Sequence, residues 1–507
     1  MSLYDKSIVA SGHELVSQAA AEIMQAGGNA FDGVVAAGFC SAVAEPTLTS
    51  LGGGGLLLGW SEKQHQQLFF DFFVNTPGLG RDCAFNPHFF PVTVNFSGAS
   101  QDFNVGMGSV AVPGTLKGLL HIHERLGHMD LRDVLAPARA LAQGHVINEQ
   151  QAHFLSLLYP IMTLTEDGRK IYEPTGSYLV AGNTNSNADC VEFLDQVAED
   201  RGDNFYFGDI AESIDRDMKA GKGFLSAKDL ADYQVAERPP LTIPYRNFQL
   251  CTSPEPSMGG TLIGLSIGLM EKLGHQQLTW GSGAHLRQTL ALMQEVEKNR
   301  AAGISTPSAL QRFLSDERQY TDATESIRLF SRGTTHISIS DRHGNCASMT
   351  CSNGEGSGYF APGTGVMLNN MMGEDDLHPN GFHNGTPGVR VASMMSPSLL
   401  FEEGRVRLVI GSGGSKRIRT AISQVLNQVI DFKRTLEEAV SAPRLYWDGE
   451  AVQVEPGFSK RSIELLRDCA DVNVWECQDV YFGGVHAVVP GVEGVGDQRR
   501  GGAVVSV

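Results

Sequence analysis

The sequence changes character sharply at Thr334, and this change limits the folds that the chain can adopt. Residues from roughly 300 to 332 are polar, charged and weakly periodic, which is typical of a solvent-exposed linker. After Thr334, side chains alternate in the pattern of a strand through Thr335–Ser340, turn at Asp341–Asn345 and resume at Cys346–Thr350. The sequence therefore predicts a strand hairpin whose first strand starts where a long exposed segment ends.

Elsewhere the predicted helices and strands occur in blocks. Helical spacing of apolar residues predicts helices at 11–27, 32–43, 115–145, two within 185–232, one that runs from the turn at Gly260 to Leu273, and others at 417–430 and 435–441. Strand patterns predict a hairpin of 56–58 with 68–73, a single strand over 241–251 and another at 405–410. Because the blocks show no β-α-β alternation, we predict an α+β fold in which layers of antiparallel sheet and helix stack.

The composition is that of an acidic globular protein. The 507 residues are 42% apolar and 19% charged, ordinary values for a chain long enough for several domains or one large composite fold. The formal net charge of -18 comes without the clusters of Lys and Arg that neutralising phosphates requires. We therefore expect no nucleic-acid partner.

The cysteines and the N-terminus bear on the cellular compartment. Eight cysteines are scattered without a C-x-x-C pair, so we expect thiols rather than a disulfide framework. The first residues lack a basic region followed by an apolar core, and no run of about eighteen apolar residues occurs. We expect a cytoplasmic protein with no membrane partner; a periplasmic location is the expectation if a leader has been removed.

Thr334 itself has the chemistry of a candidate nucleophile. A threonine hydroxyl is weakly nucleophilic at neutral pH and needs a base within hydrogen-bonding reach. If the bond between Gly333 and Thr334 breaks, Thr334 gains an α-amine, whose reference pKa of about 7.7–8.0 leaves a useful fraction neutral and able to accept the hydroxyl proton. One residue would then supply both nucleophile and base. Taken alone, the string Gly-Thr-Thr-His is weak evidence, because these residue types are common at strand starts.

Short motifs along the chain, taken together, make the pattern specific. They are Ser11 to Gly55, Pro113-Gly114-Thr115, Pro254 to Gly260, Thr334 to Asn345, Pro362 to Asn370, Ser396-Pro397, Gly411 to Ile418 and Ala442-Pro443-Arg444. In this collinear order, and over nearly its whole length, the chain resembles the γ-glutamyltranspeptidase family of N-terminal nucleophile (Ntn) hydrolases.

The resemblance implies a fold and a reaction. The fold would be a four-layer αββα sandwich, formed when one precursor cuts itself into a large piece, residues 1–333, and a small piece, residues 334–507, that stay together. Thr334 would attack a γ-glutamyl or related amide, form an acyl-enzyme and pass the acyl group to water or an amino-acid amine. No cofactor and no metal are implied, and the sequence has no H-E-x-x-H motif or paired Cys/His spacing.

The resemblance also implies roles for residues that would surround Thr334. Gly413 and Gly414, between a strand and a helix, match the family's oxyanion glycines, whose N–H groups stabilise developing negative charge. The family pattern is usually G-S-P-G-G-S-R, whereas this chain has G-S-G-G-S-K-R, so Gly414-Ser415 is an alternative pair and a purely structural turn is another interpretation. Ser352 lies near the position of a hydroxyl that hydrogen-bonds the nucleophile.

Further candidates match the region that binds the α-amino group of the donor. Asn353 or Glu355 would contact this ammonium from a loop about two residues shorter than the family pattern, and Glu374 and Asp375 match the carboxylate that holds it. The alternative is that the acidic run at Glu374 is simply solvated. His336 alternates with inward positions, and we expect a neutral core histidine without a catalytic role.

Two departures fall on the end of the donor that carries its α-carboxylate. Phe73 stands where the family pattern D-F-R-E-x-A-P has a carboxylate-binding arginine, and an unreplaced charge-assisted contact costs about 2–5 kcal/mol. Met394 replaces one of two adjacent serines, and Ser393 remains as a substrate-binding candidate. Either the acyl group is more apolar, or another cation such as Arg390 or Lys416 replaces the arginine. The alternatives to a γ-glutamyl enzyme are thus an Ntn acylase for a more apolar amide, similar to β-lactam acylases, and a degenerate homologue without activity.

Overall fold

The computed structural model describes residues 2–82, 86–95, 100–302, 306, 308–310, 333–375, 377–378 and 381–507. Most of the segment predicted to be an exposed linker, including 311–332, lies outside these residues, as do Cys83 and Asp376.

Several helices of the described residues begin at a residue whose side chain caps the N-terminus. At the second helix, Asn29 Oδ1 accepts the N–H of Asp32 at 2.9 Å while the Asp32 carboxylate accepts the N–H of Asn29 at 2.9 Å. The helices are α1 (Glu14–Gln25), α2 (Ala30–Ala44), α3 (Thr115–Leu126), α4 (Leu131–Gln143), α5 (Glu149–Met162), α6 (Glu166–Tyr172), α7 (Ala188–Asp200), α8 (Asp203–Phe207), α9 (Asp209–Ala220), α10 (Ala227–Asp232), α11 (Met258–Lys272), α12 (Gly283–Ala301), α13 (Arg417–Ile430), α14 (Leu436–Ser441) and α15 (Lys460–Arg467). None of the helices in the described residues is both long enough and apolar enough to span a bilayer.

The strands are mostly short and antiparallel. They are β1 (Ile8–Ser11), β2 (Gly54–Ser61), β3 (Gln66–Phe72), β4 (Phe90–Asn95), β5 (Ser100–Val105), β6 (His145–Val146), β7 (Thr184–Asn185), β8 (Ala236–Arg238), β9 (Leu241–Tyr245), β10 (Phe248–Thr252), β11 (Thr335–Ser340), β12 (Cys346–Ser352), β13 (Phe360–Ala361), β14 (Val366–Met367), β15 (Ser398–Glu402), β16 (Arg405–Gly413), β17 (Leu445–Trp447), β18 (Val452–Val454), β19 (Val472–Val474), β20 (Gly484–Val489), β21 (Glu493–Val495) and β22 (Ala503–Ser506).

Two large antiparallel sheets organise the fold. Over the described residues, the larger has seven strands in the order β22-β1-β11-β12-β2-β3-β8, and the other has six in the order β21-β20-β16-β15-β10-β9. β11 and β12 form the hairpin predicted from the sequence, with Thr335 opposite Cys351. Thr334 therefore directly precedes a strand that has a neighbour on each side.

The two sheets contact each other, and helices pack on the faces that point away. β11 and β12 lie against β16. α1 and α2 pack on the larger sheet, while α11 and α13 cover the smaller one. α2 is buried on nearly all sides because α1, α3 and α4 enclose the face that does not meet the sheet, which its small side chains allow. These contacts establish a mixed α+β fold.

Some elements differ from the sequence prediction. The single strand expected over 241–251 is a hairpin, β9 and β10, because the chain turns at Arg246, which has a left-handed φ of 56°. The region 185–232, expected to hold two helices, contains α7, α8, α9 and α10. The first strand and the short strands after 441 carried too few residues for a recognisable pattern.

Candidate active site

Gly333 and Thr334 lie in a confined place between the two sheets and their loops. Thr334 is buried, with 4% of its surface exposed. A Cβ added to Gly333 would lie 2.3 Å from the carbonyl oxygen of Gly354 and 2.6 Å from that of Thr47. Only glycine fits here without moving the backbone. The surrounding backbone therefore packs closely around the peptide bond that precedes Thr334.

Ser352, the last residue of β12, joins the Thr334 hydroxyl to the peptide bond before it. Thr334 Oγ1 donates to Ser352 Oγ at 3.4 Å, and Ser352 Oγ donates to the carbonyl oxygen of Gly333 at 2.6 Å. The N–H of Gly354 donates to Ser352 Oγ at 3.2 Å and fixes the serine in this position. The three groups form a hydrogen-bonded chain from a hydroxyl to the carbonyl that it could attack.

Gly413 and Gly414 come to the same place from the end of β16. A Cβ on Gly413 would lie 2.3 Å from the carbonyl oxygen of Thr334. Gly414 has a φ of 119°, which side-chain-bearing residues rarely adopt. The strand-to-helix turn thus runs close beside Thr334, as the position of a backbone oxyanion site requires.

Glu45 and Arg500 were not identified from the sequence, yet both contact this region. Arg500 Nη1 donates to the carbonyl oxygen of Thr334 at 3.0 Å. Thr335 Oγ1 lies 3.1 Å from each carboxyl oxygen of Glu45 and donates to them. A possible signal was an acidic residue directly after the apolar α2, since a charge in such a segment is rare without a partner.

The electrostatics of this pair follow from their burial. Burial raises the pKa of Glu45 to about 7, although the hydrogen bond from Thr335 and the charge of Arg500 oppose the rise. Burial lowers the pKa of Arg500 to about 10, and the negative charges of Asp497 and Glu45 oppose that change. At neutral pH Arg500 remains a cation, whereas Glu45 is near the midpoint of its titration.

A charged cluster fixes the chain on which Arg500 lies. Asp497 pairs with Arg444 at 2.6 Å and with Arg499 at 3.1 Å, and Arg499 Nε contacts Glu455 at 2.6 Å. Burial disfavours the ionised Asp497, but Arg444 and Arg499 outweigh it and hold its pKa at about 2.

Three of the four residues expected to bind the donor ammonium gather around Gly354. A Cβ on Gly354 would lie 2.4 Å from Glu374 Oε1, and Asn370 Oδ1 accepts the N–H of Glu355 at 3.0 Å. The side-chain oxygen and nitrogen of Asn353 are buried without a hydrogen-bond partner among the described residues. Asp375, the fourth residue, is exposed, whereas the neighbouring Glu374 is buried.

The opposite end of the expected donor site is apolar. Phe73 and Met394 belong to one buried cluster with Met371, Met372 and Val391.

Ser393 is buried beside this cluster. Its Oγ accepts the N–H of Met395 at 3.0 Å, and its carbonyl oxygen accepts the hydroxyl of Ser257 at 3.0 Å.

Arg390, one of the two cations considered as a replacement, is committed elsewhere. Its Nε lies 3.1 Å from Asp71 Oδ1, its Nη1 donates to the Tyr233 hydroxyl at 2.8 Å, and it also donates to the carbonyl oxygen of Phe73. Asp71 therefore already pairs with Arg390, and the replacement of the arginine by Arg390 stays a prediction. Lys416, the other cation considered, is buried just before α13.

His336 behaves as expected from the sequence. Its ring nitrogens lie 2.8 Å from Thr350 Oγ1 and 3.0 Å from Ser338 Oγ, and burial holds its pKa well below the usual value. The ring packs against Gly411, where an added Cβ would come within 2.1 Å of it. It is a neutral core histidine.

The described residues contain no group of three or more His, Cys, Asp and Glu side chains placed to hold a metal ion. The cysteines among them are free thiols: Cys40, Cys190, Cys251, Cys346, Cys351, Cys469 and Cys477.

Comparisons with known proteins identify the family. The sequence model of the family described as gamma-glutamyltranspeptidase matches residues 16–507. The glutathione hydrolase proenzyme of Escherichia coli (strain K12) is 30% identical over 502 residues, covering 91% of this chain and 84% of that protein. The acylase ACY 1 proenzyme of Pseudomonas sp. (strain SE83) is 28% identical over 486 residues, covering 91% of this chain and 86% of that protein. The structure of the cephalosporin acylase from Bacillus halodurans has a TM-score of 0.82 at 22% identity, covering 100% of this chain and 96% of that one, and so shares the fold.

The chain belongs to the γ-glutamyltranspeptidase family of Ntn hydrolases, which confirms the resemblance seen in the sequence. It is an enzyme of a family that contains both glutathione hydrolases and acylases.

Proposed function

We propose that the chain cleaves itself between Gly333 and Thr334 and then uses Thr334 to hydrolyse or transfer the acyl group of an amide. The observation that carries this proposal is the hydrogen-bonded chain from Thr334 Oγ1 through Ser352 Oγ to the carbonyl oxygen of Gly333, with steps of 3.4 and 2.6 Å. It brings together a nucleophile, the carbonyl it would attack and a hydroxyl that donates to that carbonyl.

Cleavage would begin with attack of Thr334 Oγ1 on the carbonyl carbon of Gly333. Ser352 would stabilise the negative charge on the carbonyl oxygen by its hydrogen bond. The proton of the Thr334 hydroxyl passes to the nitrogen of Thr334 as the C–N bond breaks, which leaves an ester and a free α-amine. Water then hydrolyses the ester to a carboxylate on Gly333 and a free hydroxyl on Thr334. The products would be a large piece, 1–333, and a small piece, 334–507, that remain associated in a layer order of helix, sheet, sheet and helix.

Turnover would use the new α-amine of Thr334 as the base for its own hydroxyl. The hydroxyl attacks the carbonyl carbon of the amide, the amine leaves with a proton, and the acyl group is bound to Thr334 as an ester. Gly413 and Gly414 would stabilise the oxyanion through their N–H groups, which the close approach of Gly413 to Thr334 supports. Water or an amino-acid amine then accepts the acyl group.

The donor would lie between a polar end and an apolar end. We propose that Asn353, Glu355 and Glu374 bind a positively charged α-amino group, since buried carboxylates and an unpaired buried amide favour such a ligand. Asp375, exposed beside Glu374, would contribute to binding of the same α-amino group. Ser393 would contact the donor at its other end, where Met394 replaces the second serine. A γ-glutamyl amide of the glutathione type is the donor that the related glutathione hydrolases suggest.

A second candidate is an acylase for a more apolar amide. The observation that favours it is that Phe73 and Met394, which stand at the positions of the family's arginine and serine, are apolar and buried in one cluster with Met371 and Met372. Relatives named as acylases lie at similar identity to the glutathione hydrolases. A degenerate homologue without activity is less consistent with the intact Thr334 and Ser352 geometry.

Denaturing gel electrophoresis and mass mapping of the purified protein test the proposal. We expect two bands that sum to the full mass and a new N-terminal threonine at position 334. Hydrolysis of chromogenic γ-glutamyl anilides would support the first donor class, and hydrolysis of apolar acyl anilides alone would support the acylase. A single uncut band from an active preparation would contradict the proposal. The cytoplasmic location and the lack of a nucleic-acid or membrane partner remain predictions.

A further inference from the structure

Arg500 keeps a positive charge directly behind the proposed nucleophile. Its Nη1 donates to the carbonyl oxygen of Thr334 at 3.0 Å and would lie 3.2 Å from a Cβ on Gly413. Its Nε and Nη2 are buried without a hydrogen-bond partner among the described residues. Burial lowers the pKa of Arg500 to about 10, so the guanidinium remains charged at neutral pH.

Glu45 supplies the opposite charge from the C-terminal end of α2. Its carboxyl group accepts the hydroxyl of Thr335, the residue after the proposed nucleophile, with both oxygens at 3.1 Å. Glu45 and Arg500 line one cavity of about 20 Å³, which has room for a single water molecule. The nucleophile is therefore flanked by a buried cation and a buried acid that can reach each other through water.

Other titratable and charged groups also face this pair. His13 lines the same cavity, and burial lowers its pKa to about 4, so it is neutral. Burial, with the charge of Glu45, raises the pKa of the Cys351 thiol to about 12. The charges of Asp497, Arg417 and Asp479 also act on Arg500. Glu355 and Glu374 lie beyond Gly354 and are not substituted in any variant considered below.

We propose that Glu45 and Arg500 are positioning residues that set the ratio of neutral to protonated α-amine at Thr334, the amine that cleavage would create. This inference rests on the proposed function, because the amine exists only after cleavage. Arg500 favours the neutral amine by repulsion, and the Glu45 carboxylate favours the protonated amine by attraction. Both act through the backbone of Thr334 and Thr335 rather than on the donor.

The two charges predict opposite effects on the pH profile. Only the neutral amine accepts the hydroxyl proton, so kcat/KM rises with pH through the pKa of that amine. Because the pKa of Glu45 is about 7, its carboxyl group is partly ionised in this range. Glu45→Gln removes this partial negative charge and should move the acid limb about 0.5–1 pH unit lower. Arg500→Met should move it a similar distance higher, and Arg500→Lys, which keeps the charge, should leave it near the wild-type position.

The experiment first determines the N-terminus of each processed protein by mass spectrometry and then measures kcat/KM over a range of about pH 5 to pH 9. Glu297→Gln is the matched control, because Glu297 is also a buried glutamate but pairs with Arg419 and Arg300 on the outer side of the smaller sheet. Its acid limb should coincide with that of the wild type.

Acid limbs that move in opposite directions support the proposal, and if only one variant is processed, the direction of its limb decides. Processed variants whose limbs stay at the wild-type pH overturn it. If neither Glu45→Gln nor Arg500→Met is processed while Glu297→Gln is, the two residues act in cleavage and the proposal is wrong. A wild-type protein with no N-terminal threonine would contradict the proposed function instead, so the two failures are distinguishable.

Discussion

The hydroxyl of Ser352 donates to the carbonyl oxygen of Gly333 at 2.6 Å and accepts the hydroxyl of Thr334 at 3.4 Å. One side chain thus contacts both the carbonyl and the group that could attack it. These hydrogen bonds are present while the Gly333–Thr334 bond is intact. They would therefore act first in cleavage of the precursor and only afterwards in turnover of a substrate.

Thr334→Ala should abolish both processing and turnover, because it removes the only hydroxyl that Ser352 connects to the Gly333 carbonyl within the described structure. Thr334→Ser keeps a hydroxyl and should still be cleaved. Peptide mass mapping reports the cleavage, and an anilide assay reports turnover. A normally cleaved and active Thr334→Ala protein would disprove the role of this residue.

Ser352→Ala should slow the appearance of the N-terminal threonine by about 100-fold, since one preorganised donor to a developing oxyanion is worth a factor of this size. Gel densitometry over time measures the rate. Ser266→Ala is the control, because its hydroxyl bonds only to a carbonyl within α11 in the described structure. Equal rates for the two variants would show that the short contact to Gly333 is incidental.

Gly413→Ala should eliminate activity, since the added methyl group would lie 2.3 Å from the Thr334 carbonyl oxygen and force the two segments apart. Gly404→Ala is the control in an exposed turn with a φ of 78°; it should cost about 1 kcal/mol of stability and leave activity unchanged. Activity assays with circular dichroism separate the two effects. Full activity in Gly413→Ala would argue against an oxyanion role for this turn.

The free energy of unfolding should fall as the pH drops below about 6.5, the pKa of histidine in an unfolded chain. Burial keeps the pKa of His285 near 3 and that of His486 near 4, and lowers that of His336, so the unfolded state binds protons that the folded state does not. Each histidine contributes up to about 1.4 kcal/mol per pH unit. Glu45 acts in the opposite direction, because its raised pKa gives stability below about pH 4.5 that is lost as the pH rises through about 7.

Urea denaturation midpoints of the uncleaved Thr334→Ala protein at several pH values measure this dependence. A midpoint that stays constant between pH 6.5 and 5 would mean that these histidines are accessible to protons in the folded protein.

Phe73→Arg should destabilise the protein by about 3–5 kcal/mol, because an unpaired guanidinium would replace a ring among methionine side chains. Phe73→Leu should cost less than about 1.5 kcal/mol. Thermal melts and assays with γ-glutamyl and apolar anilides measure the outcome. A stable Phe73→Arg protein with improved γ-glutamyl turnover would show that the site still accepts an α-carboxylate and would count against the acylase.

The sequence predicted those parts of the fold that have a long alternating or helical pattern. β11 and β12 are examples, because each has six or seven residues and a turn of clear composition between them. The pattern failed at Arg246, where a two-residue turn leaves the alternation of β9 and β10 almost unbroken. Packing between distant segments, rather than local preference, decides such cases.

The residues of the candidate site also fall into two groups, those that the sequence could identify and those that it could not. Thr334, Ser352 and Gly413 lie in short motifs and could be named from the sequence. Glu45 and Arg500 could not, since Glu45 meets Thr335 across 290 positions of sequence and Arg500 meets Thr334 across 166. Their importance depends on burial and on partners that no local pattern reveals.

The strand order has a consequence for a chain that is cut before Thr334. In the larger sheet, β22, β11 and β12 would come from one fragment and β1, β2, β3 and β8 from the other, and β1 would be inserted between two strands of its partner. Neither fragment could complete its own hydrogen-bond ladder, so pulling them apart would leave open strand edges on both. Reassembly after denaturation would then depend on protein concentration, and a single cut in the backbone would turn a reversible transition into one that favours aggregation.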